Sequence, residues 1–232
     1  MGWRRWPTPS ARTPDGTATG RAGSLGSFSA SAVTDYDVLL RLARQRRSPY
    51  AFDADAEVSD DALRRVFEVA RWAPSSYNEQ PWRYLVGRRE TPEYDAIANA
   101  LQGRNPEWAR TAPVLGLVLA AETFARGGQP NPHRRFDAGA ASYGLALAAE
   151  AAGLGLHLMA GVDAAAAAQR LGVPTGVDAV AGFALGVRAA DPAAVVPDDL
   201  AERARQPKPR RPLAETVFGA WGVPALPLGE VA

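Results

Sequence analysis

The chain has 232 residues, 47% of them hydrophobic, which is enough for one large domain with its own core. Its 26 basic and 25 acidic residues leave a formal net charge of +1, so nothing in the charge balance favours nucleic acid or an anionic membrane surface as a partner. There is no cysteine, and His133 and His157 are the only 2 histidines, which excludes disulfides, thiolate chemistry and Cys- or His-rich metal sites.

No apolar run approaches the roughly 20 residues of a membrane-spanning helix, so a cytoplasmic protein is expected. Residues 1–33 are rich in Gly, Ser, Thr, Pro and Arg without apolar periodicity, and are expected to be a disordered extension. They carry no apolar h-region, so a secretory signal is not expected.

Thr34 is the predicted N-cap of a helix running through Leu39, Leu40 and Leu42 toward Arg46, ended before Pro49. Ser59 caps the next helix, with Asp60 and Asp61 at its positive end and Leu63, Val66, Phe67 and Ala70 at helical spacing. Pro74 closes it. A polar stretch, APSSYNEQPW at 73–82, leads into a strand from Arg83 to Val86.

Pro92 to Leu101 reads as a helix and Asn105 starts a short turn. Ala112 to Ala121 is apolar throughout, as in a strand covered on both faces. The longest helical signal, Phe136 to Ala152, is nearly all small and apolar, and Gly153 stops it. Leu156 to Met159 is a short strand or turn. Asp163 caps a helix over 164–171, and Ala179 to Val187 is another buried strand. From Asp191 the chain is Pro-rich, with a basic knot KPRRP at 208–212. Helices alternating with buried strands predict one domain around a covered sheet.

GLGLHL at 153–158 contains G-x-G, but Leu158 holds the third glycine position and the segment follows a helix. A dinucleotide fingerprint is therefore rejected. His157 is expected to be packed or hydrogen-bonded rather than catalytic. Trp72 and Trp82 are expected to be core or interface anchors.

Three polar clusters remain: Arg46, Arg47 and Ser48; the stretch 73–82; and Lys208, Arg210 and Arg211. Arginine forks and a lysine point charge can converge on a phosphate. Taken singly, each cluster also suits a solvated surface. Their order carries more: RRSPYAF at 46–52, APSSYNEQPW at 73–82, DAGAASYGLALAAEAAGLG at 137–155, FALGV at 183–187 and KPRRPLAETV at 208–217 resemble the FMN-dependent nitroreductase family over residues 35–218.

The resemblance implies an α+β fold, a three-layer sandwich with a central mixed, mainly antiparallel sheet, and a homodimer with the buried helix at its core. The domain would span 34–218, followed by a tail at 219–232. It implies FMN at the dimer interface. Arg46, Arg47 and Ser48 match the segment that holds the phosphate and ribityl chain, and Lys208 and Arg210 match the basic pair that reaches the phosphate. Pro74, Ser75, Ser76 and Asn78 match a loop reaching the partner's flavin. Asn105 matches an asparagine at the pyrimidine edge, and Met159, Ala160 and Gly161 match a turn near flavin N5.

It further implies that NAD(P)H gives hydride to the flavin, which reduces a small, flat, electron-poor acceptor in ping-pong order. No side chain or metal is then required to be catalytic. Other flavin chemistry (dehalogenation, flavin destruction, ring oxidation) and FMN storage are the alternatives. Tyr50 stands where the family pattern often has Arg or Lys, which would lower the stability of anionic reduced flavin unless another cation substitutes.

Overall fold

The computed structural model describes residues 33–225. The predicted extension at 1–33, apart from Val33, and residues 226–232 of the predicted tail lie outside the described residues.

Helix α1 spans Asp35–Gln45. Its cap is reciprocal: Thr34 Oγ1 accepts from Asp37 N–H, and the Asp37 carboxylate accepts from Thr34 N–H. Helix α2, Asp60–Arg71, starts at Ser59 as predicted and buries Leu63, Val66 and Ala70. Strand β1 follows at Trp82–Arg88. Then come α3 (Pro92–Ala98), the single turn α4 (Pro106–Ala109) and β2 (Val114–Ala121). The predicted strand start at Ala112 is delayed past Pro113, and the predicted helix end at Leu101 falls earlier, at Ala98.

Helix α5, Arg134–Ala151, is followed by β3 (Gly155–Met159), α6 (Ala164–Arg170) and β4 (Val177–Gly186). Sequence reading left the chain after Asp191 without a helix. The structure forms α7 at Asp198–Arg205, with Asp198 and Asp199 in its first turn and Arg203 and Arg205 in its last. A short pair, β5 (Phe218–Ala220) and β6 (Val223–Pro224), lies where a featureless tail from residue 219 was expected.

The main sheet has 4 strands in the order β1-β2-β4-β3. All its described pairings are antiparallel, so the expected mixed sheet shows no parallel pair among the described residues. Strand β2 lies inside and sends alternate side chains to opposite faces. Leu115, Leu117 and Leu119 meet α3, α4, α6 and α7, while Val114, Val118 and Ala120 meet α2 and α5. Helices therefore cover both faces of the sheet, giving the predicted three layers. No helix among the described residues is long and apolar enough to cross a membrane.

Helix α5 was expected to be buried all round. Within one chain it buries Ala138, Ala141, Leu145 and Ala149 but leaves Phe136 and Tyr143 exposed. Its first turn is tied to β4, because Asp178 accepts a two-pronged bond from Arg135 and a third bond from Arg134. The Arg135 guanidinium holds the Asp178 carboxyl below the usual carboxylate range, against the opposing effect of burial.

Two glycines test the layer spacing. A Cβ on Gly116 would meet the Phe183 ring at 2.1 Å, so Gly116→Ala should cost about 2–3 kcal/mol through overpacking. A Cβ on Gly144 would stand 3.5 Å from the Ala70 Cα, an ordinary contact. Gly144→Ala should therefore gain about 0.5–1 kcal/mol from helix propensity. Urea unfolding of both variants checks the opposite signs; a gain for Gly116→Ala would contradict the packing described.

Candidate functional site

Among the described residues, the stretch 73–82 holds three of the four non-glycine residues with positive φ. After α2 the chain turns through Ser76–Asn78 and enters β1. Tyr77, Asn78 and Gln80 all lie in the left-handed region, with φ of 54°, 57° and 51°. Only asparagine among them adopts it readily, and such residues cost about 1–3 kcal/mol each unless the surroundings hold them. Here the surroundings do hold them. Ser76 N–H donates to Asp137 Oδ2 at 3.1 Å, and Ser75 Oγ accepts from Gln80 N–H at 2.9 Å.

Asp137 is only 3% exposed and sits in the first turn of α5, where the helix dipole favours its charge. Glu79 adds a bond to Ala125 N–H, joining this loop to the one after β2. The Tyr77 ring is left 89% exposed, edge-on to Phe124 at 5.8 Å. Trp82 is buried as expected. Trp72 is not a core residue: it is exposed, and its Nε1 donates to Glu68.

A second group forms around the end of β3. His157 Nδ1 lies 2.8 Å from the Pro49 carbonyl. Its ring stacks on Trp108 (4.2 Å between centroids) and meets the Tyr50 ring edge-on (4.9 Å). Burial pushes the His157 pKa down, the Pro49 carbonyl opposes this, and Arg46 and Arg203 add to the lowering. His157 is thus the packed, hydrogen-bonded residue that was expected. Trp108 Nε1 donates to Asn105 Oδ1 at 3.1 Å, and Asn105 Nδ2 donates to the Gly161 carbonyl at 2.7 Å.

The structure accordingly joins Tyr50, Asn105 and Gly161 through Trp108. Two of these predicted ligands are largely committed to the protein. Asn105 keeps one amide hydrogen and one lone pair for anything else. Met159 packs its side chain into the core, while Ala160 is exposed beside a depression of about 430 Å³ that it shares with Gln102 and Asp163.

Of the predicted cations, Arg46 is half-buried and bonds Ser48 Oγ at 3.4 Å, whereas Arg47 donates to the Arg44 carbonyl. Lys208 and Arg210 are exposed and donate to the carbonyls of Arg203 and Lys208, respectively. Among the described residues, no hydrogen bond joins either of them to Arg46, Arg47 or Ser48. Sequence reading missed Arg203, whose guanidinium lies 5.0 Å over the Tyr50 ring, and the anchoring role of Asp137. The signal for Arg203 was the Asp-Asp…Arg-x-Arg charge order of α7; Asp137 gave none beyond its place in an otherwise apolar helix.

A model of the nitroreductase family matches residues 43–103 and 88–187. The chain belongs to that family. The oxygen-insensitive NADPH nitroreductase of Helicobacter pylori strain J99 is 38% identical over 86 residues, covering 37% of this chain and 40% of the relative. A Streptomyces coelicolor relative is 35% identical over 78 residues, 38% of its own length. The chain thus matches about two fifths of these curated relatives' length.

Solved structures match more fully. An FMN-containing oxidoreductase aligns with TM-score 0.71 and 34% identity, over 77% of this chain and 89% of that one. A Desulfovibrio desulfuricans protein in complex with FMN aligns with TM-score 0.63 and 32% identity, over 78% of this chain and 96% of that one.

Two predictions follow from this geometry. Asp137→Ala leaves the Ser76 N–H unpaired and should cost about 1–3 kcal/mol, with faster amide exchange at Ser76; Asp137→Asn, which keeps an acceptor, should cost less. Unchanged exchange in the alanine variant would remove the anchor assignment. His157 is held neutral, so below its ordinary pKa of 6.5 the unfolded chain binds the extra proton first and stability falls as pH falls. Denaturation between pH 7 and 5 should show this loss, and His157→Gln should flatten it.

Proposed function

We propose that the protein is an FMN-dependent oxidoreductase. It would take hydride from NAD(P)H and pass it to a small, flat, electron-poor acceptor such as a nitroaromatic or a quinone, in ping-pong order. The carrying observation is the loop 75–80, whose costly left-handed backbone is pinned by Asp137 and leaves Asn78 exposed and Ser76 half-buried. Strain held this firmly is typical of ligand-contacting segments. Membership of the nitroreductase family and two FMN-containing structural neighbours above 30% identity support the reading.

The residues present suit the cofactor. Arg46, Arg47 and Ser48 offer donors to a phosphate and a polyol. Asn105 packs closely on the 159–161 turn: a Cβ on Gly161 would stand 2.5 Å from Asn105 Nδ2, so the bond from Asn105 to the Gly161 carbonyl depends on glycine there. Bound FMN would supply the hydride chemistry, and the protein's part is to hold, orient and shield it.

The same reading includes a homodimer with FMN between the subunits. Tyr36 and Leu39 on α1, Val69 and Trp72 on or beside α2, and Phe136 and Tyr143 on α5 are large side chains left exposed on helices that pack together. A second subunit would cover them and set loop 75–80 against the partner's cofactor. Among the described residues nothing covers them.

The test is direct. The purified protein should be yellow, or turn yellow on adding FMN, and NADH or NADPH should bleach it without oxygen. Substituting Arg46 and Arg210 together by glutamine should weaken FMN binding by more than about a hundredfold, since each charge-assisted contact contributes about 1.5–3 kcal/mol. A colourless protein that takes up no FMN would refute the reading. Yellow protein that neither nucleotide bleaches would make it an FMN store.

A further inference from the structure

Arg203 lies over Tyr50, and Arg46 starts the segment that leads into Tyr50; both lack an acidic partner among the described residues. Arg46 has only the long bond to Ser48 Oγ, and Arg203 lies over the Tyr50 ring; neither forms an ion pair among the described residues. Some neighbouring cations are compensated, whereas Arg47 and Lys208 bond only backbone carbonyls. Arg104 is taken up by Glu107 and Asp199, Arg205 by Asp191, and Arg188 by Glu150. Arg46 and Arg203 also act on one buried group, since both push His157 toward its neutral form. An anion lying between two such cations would be attracted by both.

Arg203 is held in place. Leu200 and Ala201 bury the inner face of α7, Asp199 pairs with Arg104, and Lys208 Nζ donates to the Arg203 carbonyl. The aromatic face of Tyr50 beneath it fixes the guanidinium further through cation–π attraction. Tyr50 itself is wedged edge-on between Trp108 and His157. The pair Arg203–Tyr50 is therefore a positive charge on a rigid support, delivered from α7 to the position of residue 50.

We infer that Arg203, seated on Tyr50, is a cofactor-binding residue that joins Arg46 in gripping an anionic part of FMN. This rests on the FMN reading above. It also answers the question raised by Tyr50: the charge missing at position 50 is supplied from another element. FMN offers two anionic groups, its phosphate and its ring once reduced, and both are recognised by the same chemistry.

The experiment uses the full chain and the variants Arg203→Gln, Arg203→Lys and Tyr50→Leu, each checked for unchanged circular dichroism and thermal midpoint. Three quantities are read: Kd for FMN, Kd for riboflavin, and the midpoint potential of the bound flavin. If the phosphate is gripped, Arg203→Gln should weaken FMN about tenfold and leave riboflavin unchanged. If the reduced ring is gripped, oxidised FMN should bind as before. The midpoint should then fall by about 30 mV, the two-electron equivalent of a tenfold loss.

Either result supports the inference. Arg203→Lys should retain part of the effect, and Tyr50→Leu should weaken binding or potential in the same sense without adding fully to Arg203→Gln. Unchanged affinity and potential in Arg203→Gln, with wild-type protein binding FMN, would overturn this inference alone. Wild-type protein that binds no FMN would overturn the function reading and this inference with it.

Discussion

Everything in this fold is built outward from β2. The strand is apolar along its length, and its alternate side chains supply both cores. Burying each leucine or valine fully contributes roughly 1.5–3 kcal/mol, so covering both faces is the strong term and covering one would waste half of it. That need brings α2 and α5 to one side and α3, α4, α6 and α7 to the other. Close passages such as Gly116 against Phe183 set how near the layers lie. The candidate functional segments lie outside these core elements: the turn after β3, the loop before β1, and the basic stretches flanking α1 and α7.

These segments are then stiffened individually. The loop before β1 gains its shape from Asp137, a buried carboxylate at the start of the helix that also clamps β4 through Arg134 and Arg135. One helix end thereby fixes both a core strand and a strained loop. On the other face, the Tyr50–Trp108–His157 cluster ties the segment after α1 to β3, and Asn105 carries the connection to the Gly161 turn. A cofactor spanning these segments would find them fixed beforehand, so little ordering would oppose its binding.

Much of the architecture was legible because local signals agreed with the packing. Thr34, Ser59 and Asp163 are caps in the structure as in the sequence, and the apolar run before Ala121 is the buried central strand. Helix α7 was hidden by the Pro-rich background around it, although its charges follow the helix dipole. The site was legible as a set of motifs but not as a geometry. The charge order of α7 marks Arg203 as a helix-end cation, but its place over Tyr50 arises only from tertiary packing. The left-handed backbone at Tyr77 and Gln80 contradicts local preference, so only the held structure discloses it. Phe136 and Tyr143 read as core because they lie in an apolar helix, yet the described residues leave them exposed.

The central claim is that loop 75–80 serves the partner's flavin while the basic segments serve the chain's own. Co-expression of two differently tagged variants tests it most directly. One variant carries Arg46→Gln with Arg210→Gln; the other carries Ser76→Tyr with Asn78→Tyr. Each homodimer should lack FMN. The purified heterodimer should regain one FMN per pair of subunits, because one of its sites combines intact cations from one chain with the intact loop of the other. A heterodimer as empty as its parents would mean that each site is completed within a single chain, and the shared-site account would be wrong.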